Sequence, residues 1–189
     1  MNMKRRNNME NMDRKKIGKI AGVVVIALLV VLVLSQIFSR SPKDCVKDFY
    51  KAEQKTSASD MLDLVPKKHQ KALMKEYDLS KKELKEAVQD YLNDNLDEWE
   101  AFYGDNVKVK LKFKNKEKAS RDDIKTANKA LKDADVNLKV KKSYTYRINL
   151  TFTGDDSNES TSDIAYAIKI GGKWYSSEAI NFVTIAAAS

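Results

Sequence analysis

Residues 107–114 read Val-Lys-Val-Lys-Leu-Lys-Phe-Lys, and this stretch decides the fold. Four apolar side chains alternate with four lysines, the period of a strand whose successive side chains point to opposite faces. The stretch predicts a half-buried strand with Val107, Val109, Leu111 and Phe113 inward. Lys108, Lys110, Lys112 and Lys114 then form a basic outer face. Upstream of it the apolar period is helical, and downstream it is again mostly two. Helices first and strands after predict an α+β domain, with helices packed on an antiparallel sheet of about four strands.

On the upstream side, Ser41-Pro42-Lys43-Asp44 opens a helix with Ser as cap, Pro in the first turn and an acid at the third position. Cys45, Val46, Phe49, Tyr50 and Ala52 fall on one face of it. Ser59 can cap a short helix over Asp60–Val65 that Pro66 ends. Ser80-Lys81-Lys82-Glu83 is a capping box, followed at helical spacing by Leu84, Val88, Tyr91, Trp99 and Phe102, with Gly104 suited to the stop.

Downstream, Ser120-Arg121-Asp122-Asp123 starts a modest helix at 120–134 through Ile124, Ala127 and Leu131. Alternation then resumes at Val136, Leu138 and Val140, and at Tyr144, Tyr146, Ile148, Leu150 and Phe152. Gly154–Asn158 forms a polar turn before Ile164, Tyr166, Ile168 and Ile170. Gly171-Gly172 predicts a tight hairpin returning through Lys173-Trp174-Tyr175, and Ile180 and Phe182 extend the last strand. A two-residue loop pairs Ile168 with Tyr175 and Lys169 with Trp174. Trp174 then lies on the Ala167 side, away from the isoleucines; a three-residue loop reverses this.

Residues 17–38 have another character. Ile20–Leu34 reads IAGVVVIALLVVLVL without a polar side chain, and the 22 residues from Ile17 to Phe38 carry one lysine, Lys19. At ~1.5 Å per residue such a helix crosses the ~30 Å hydrocarbon core, and Lys19 lies close enough to the end to snorkel. The rival reading is a cleaved signal peptide, with Val33-Leu34-Ser35 as a passable cleavage triplet. Arg14-Lys15-Lys16 and Lys4-Arg5-Arg6 keep residues 1–16 in the cytoplasm, so 41–189 is expected outside. A single-pass cell-membrane protein with an uncleaved signal-anchor is the preferred reading. Cys45 lies too far beyond Phe38, and behind Pro42-Lys43-Asp44, for a lipidated cysteine.

This anchor also accounts for most of the charge. Of the net +8, residues 1–40 hold eight Lys or Arg against two acids, and the remainder holds 27 against 25. A nearly balanced domain gives no footprint for nucleic acid. One cysteine, Cys45, and one histidine, His69, exclude an internal disulfide and a thiolate metal cluster, and argue against imidazole-based catalysis. No catalytic constellation, cofactor or metal is expected. Cys45 reads as a buried small residue, with an intermolecular disulfide as the alternative. His69, between lysines, reads as a solvent-facing helix residue.

The lysines at 108, 110, 112 and 114 either discourage edge-to-edge pairing or meet anionic lipid or cell-wall polymer. The aromatics Trp99, Phe102, Tyr103, Tyr144, Tyr146, Tyr166, Trp174 and Tyr175 are expected mainly in the core. Trp174 is the residue to test on any open concave face. The sequons at Asn149 and Asn158 carry little meaning in a bacterium, the source that the Lys, Asn and Asp content suggests.

The order of elements resembles the nuclear-transport-factor-2-like, cystatin-like α+β roll. The resemblance rests on Ser41-Pro42, Val46, Phe49-Tyr50 and Ala52, on Asp60-Met61-Leu62-Asp63-Leu64, and on the Gly171-Gly172-Lys173-Trp174-Tyr175 hairpin. It covers most of 41–182 and implies a bent sheet wrapping helices into a cone. The helix at 120–134 departs from the simplest roll and leaves the strand order open. Membrane-anchored members of this fold include subunits of conjugation and secretion channels. The anchor, the missing catalytic sets and the balanced domain give the expectation of a non-enzymatic, membrane-anchored interaction module of the cell envelope with a protein partner. A scaffold subunit of such an apparatus, or a small-molecule-binding or enzymatic roll, are the alternatives.

Overall fold

The computed structural model of the chain describes residues 40–133 and 138–189. The tail at 1–16, the anchor at 17–38 and Val136 lie outside the described residues. Among the described residues, no helix is long and apolar enough to cross a membrane.

Helix α1 (Pro42–Gln54) begins where the cap chemistry predicts: the Ser41 side chain accepts the Asp44 N–H at 3.1 Å. Helix α2 (Ala58–Asp63) starts one cap earlier than Ser59, because Ser57 Oγ accepts the Asp60 N–H. Pro66 then opens α3 (Lys67–Glu76), an element the sequence reading did not resolve. Gln70 explains its position. Its buried amide donates to the Leu62 and Val65 carbonyls, tying α3 to the chain that leaves α2. Helix α4 (Lys81–Tyr103) carries the expected reciprocal capping box between Ser80 and Glu83, and buries Leu84, Val88 and Leu92.

Four strands follow: β1 (Lys108–Lys118), β2 (Val140–Thr153), β3 (Asn158–Ile170) and β4 (Lys173–Ser176). They form an antiparallel meander in sequence order, which answers the question the inserted helix left open. That helix, α5 (Arg121–Asp133), sits in the β1–β2 connection. The hairpin at Gly171-Gly172 has the two-residue register, with Ile168 opposite Tyr175 and Lys169 opposite Trp174. Both glycines take positive φ, as this turn requires.

The expected extension of the last strand through Ile180 and Phe182 is replaced by a helix, α6 (Ser177–Ala188). Ala179, Phe182, Val183, Ala186 and Ala187 are buried at helical spacing, with Glu178 in the first turn favouring the helix dipole. This helix fills the centre of the core. Phe182 meets Phe49 of α1 and Tyr91 of α4, at ring distances of 6.2 and 4.7 Å.

The helices cover the sheet face that carries Val109, Ile148, Leu150, Ala165 and Ala167. On β3 that face is the alanine side. Ala165 and Ala167 are fully buried, and α1 and α6 both pack against this strand. With no side chain beyond Cβ, these positions let a helix approach closely. The isoleucine side of β3 therefore becomes the outer face.

At the far end, the β2–β3 turn clasps the end of α4. The Asp156 and Ser157 N–H groups both donate to the Tyr103 carbonyl, at 3.0 and 3.2 Å. A Cβ on Gly154 would stand 2.1 Å from that same oxygen, so the close approach requires glycine.

Candidate functional site

The lysine strip does not run along one face. Lys108, Lys110 and Lys112 stand opposite Thr153, Thr151 and Asn149, on the outer face. The register shifts between Phe113 and Asn115, leaving Lys114 as the extra residue of a β-bulge. Beyond it the alternation reverses, and Lys116 and Lys118 pair with Tyr146 and Tyr144 on the helix side. The structure thus keeps three of the four candidate lysines together and separates them from the next two.

Trp174 lies on the helix side of β4, half-buried, with its ring 5.3 Å from that of Tyr144. Lys169 Nζ sits 5.7 Å from the Trp174 ring and Lys116 Nζ 3.8 Å from the Tyr144 ring. On the same side, Lys43 of α1 lies 4.8 Å from Phe113, which is edge-on to Tyr146. Trp174 and the lysines at 108–112 therefore belong to different faces and do not form one site.

The outer face holds a feature the sequence reading missed. Helix α5 folds back over the start of β2, where Asn128 exchanges two hydrogen bonds with the Val140 backbone, at 2.9 and 2.7 Å. This contact buries Val140, yet no residue of α5 itself is buried. Between the helix and the sheet runs a groove of about 290 Å³, floored by Thr145, Tyr166 and Ile168 and walled by Ile124 and Ala127. Ile164 and Tyr166 continue the apolar surface along β3 and stay 47% and 42% exposed. Tyr166 is thus not a core residue, and neither is Phe102, which is 78% exposed at the end of α4. The amphipathic pattern of α5 was the available signal, because a stripe of Ile124, Ala127 and Leu131 must face something.

Buried ionisable groups lie on the helix side instead. Burial, reinforced by the Glu178 charge, pushes Glu53 up to about 8 and Cys45 up to about 12. The Cys45 thiol is fully buried and donates to the Pro42 carbonyl at 3.1 Å, which makes it a packed, unreactive residue. His69, expected on a solvent face, is buried between α3 and α6 with Nε2 2.8 Å from Thr184 Oγ1. Thr184 gives its own proton to the Ile180 carbonyl, so Nε2 is the donor and His69 is the Nε2–H tautomer. Nδ1 has no partner among the described residues, and burial lowers the imidazole pKa.

A second groove, of about 270 Å³, is polar and lies beside Arg40, whose guanidinium pairs with Asp48 at 3.0 Å and donates to the Asp63 carbonyl. None of Glu53, Cys45 and His69 lines either of these two grooves. Among the described residues, no group of three His, Cys, Asp or Glu side chains is placed to hold a metal.

No family model matches the chain, and neither a curated protein nor a solved structure matches it.

Proposed function

We propose that this chain is a non-enzymatic interaction module of the bacterial cell envelope, held by residues 17–38 with its α+β domain outside. The partner is a protein that covers the outer sheet face. The observation that carries this reading is the apolar surface of Ile164 and Tyr166 running into the groove beneath α5. Large apolar side chains scattered singly need no explanation, but here two lie next to a concave apolar site, as contact surfaces do. The anchor reading is supported by the apolar run and its basic flank, and by a folded domain that starts at Ser41, three residues after Phe38. The helices-then-meander order supports the cystatin-like resemblance.

Photocrosslinking in native membranes tests it, with the reactive group at position 166 or 168 and a control at Glu100 on α4. A discrete protein adduct from the first two positions, lost when Ile164→Lys is added, is the expected result. Equal, diffuse labelling from all three positions would remove the reading. Adducts to components of a secretion or conjugation channel would select the scaffold role.

A further inference from the structure

The first turn of the domain lies over the helix side of β1, and the sheet beyond it has its own chemistry. Arg40 and Ser41 lead straight into α1, whose first turn places Lys43 over Phe113. The sheet continues past this point on the helix side: first Lys116 opposite Tyr146, then Lys118 opposite Tyr144, then Lys169 opposite Trp174. All three close lysine–aromatic contacts found among the described residues fall here, on Phe113, Tyr144 and Trp174. Lys43, Lys116 and Lys169 form no ion pair among the described residues. The acid beside them in sequence, Asp44, is engaged by Ser41 and Lys47.

We propose that this rim, carried by Lys43, Lys116, Lys169, Tyr144 and Trp174, seats the domain on the anionic headgroups of the membrane that holds it. The inference rests on the anchor reading above. If Phe38 ends a membrane span, only Ser39 and Arg40 separate the span from Ser41, the cap of α1. Tyr and Trp rings favour the headgroup layer, where one edge is apolar and the other wet. Lysine ammonium groups draw anionic lipid within a Debye length of about 10 Å. The bulge at Lys114 is what assembles the rim, because without the reversal Lys116 would stand on the outer face with Lys108, Lys110 and Lys112.

The test uses the full chain in proteoliposomes, on a Trp99→Phe background so that Trp174 is the only tryptophan. Vesicles of phosphatidylcholine alone are compared with an equal mixture of phosphatidylcholine and phosphatidylglycerol, each with a headgroup-nitroxide lipid as quencher. Alkaline extraction of the same vesicles reports anchoring independently. The expected result is an anchored chain whose Trp174 emission is quenched more in the anionic vesicles. That gain should vanish in the K43Q/K116Q/K169Q variant and persist in K108Q/K110Q/K112Q. An anchored chain with Trp174 equally unquenched in both vesicles overturns the rim and leaves the anchor standing. A chain removed by alkaline extraction overturns both. Loss of the gain in the second triple variant but not the first would transfer the contact to the outer lysines and overturn the proposal as well.

Discussion

The Glu178 carboxylate accepts the backbone N–H of Tyr166 at 2.8 Å, fastening the start of α6 to the open side of β3. Strand β4 pairs with the last residues of β3, so from Tyr166 back to Asn158 that side has no strand neighbour among the described residues. A side chain from the next helix supplies the missing acceptor. The Ser176 and Ser177 hydroxyls donate to the same carboxylate, so one group organises both the strand edge and the helix start.

Removing it should therefore loosen two elements at once. Glu178→Ala is expected to cost roughly 1–3 kcal/mol, with Glu178→Gln milder because its carbonyl can still accept one N–H. Urea unfolding gives the magnitude. Hydrogen exchange gives the location: the Tyr166 amide should lose protection in the alanine variant while Ile148, in the middle of the sheet, keeps it.

Glu53 should make the protein less stable as pH rises. Its buried carboxyl is pushed up to about 8 by burial and by the neighbouring Glu178 charge, against about 4.3 in an unfolded chain. The folded state thus holds a proton that the unfolded state has released, and stability declines from about pH 4 to about pH 8. Glu53→Gln should abolish that decline and be more stable than the parent by several kcal/mol above pH 8. Unfolding curves for both proteins across this range check it. Coincident curves would mean that Glu53 is solvated and ionised in the folded state.

His69 acts in the opposite direction. Its imidazole is buried as the neutral tautomer with a lowered pKa, so the folded state binds protons more weakly than the unfolded chain. The stability concerned is complete above the unfolded value of about 6.5 and is lost as pH falls below it. Thr184→Val should destabilise the protein by roughly 1–3 kcal/mol at neutral pH by stranding the buried Nε2–H. His69→Leu should flatten the acid limb below about pH 6.5 relative to the parent. The imidazole resonances of the single histidine, followed by NMR titration, report the shift directly.

Gly154→Ala should detach the β2–β3 turn from the end of α4. The added Cβ would stand 2.1 Å from the Tyr103 carbonyl oxygen, and both are backbone-fixed, so a rotamer change gives no relief. A loss of roughly 2–4 kcal/mol is expected, in the upper range for single substitutions. The near-ultraviolet signal from the stacked Tyr103 and Phe152 rings, 5.0 Å apart, should fall with it. By contrast, alanine at Gly171 meets no atom within 4 Å, and its cost is limited to the positive φ there.

What the sequence determined alone is whatever rests on chemistry within a few residues. Ser41 and Ser80 announce their helices because a cap and its N–H lie three positions apart. Gly171-Gly172 announces the hairpin because both residues of its tight turn need positive φ, while the choice between the two possible registers came from the structure. The period-two run at 107–114 announced a strand in the same way, and helices before strands gave the α+β class. The tertiary structure decided what those elements meet. An alternating strand shows that its two faces differ but not which one a helix will cover, and on β3 the close approach of α1 and α6 selected the alanines over the isoleucines. The bulge at Lys114 moved Lys116 and Lys118 across the sheet, although their sequence alternation looks nearly unbroken. His69 among lysines resembled a surface residue until α6 arrived from 115 positions away to bury it. Local hydrogen bonds are set by sequence separation, whereas burial is set by the neighbour across the core, and that neighbour is chosen by the packing of the whole chain.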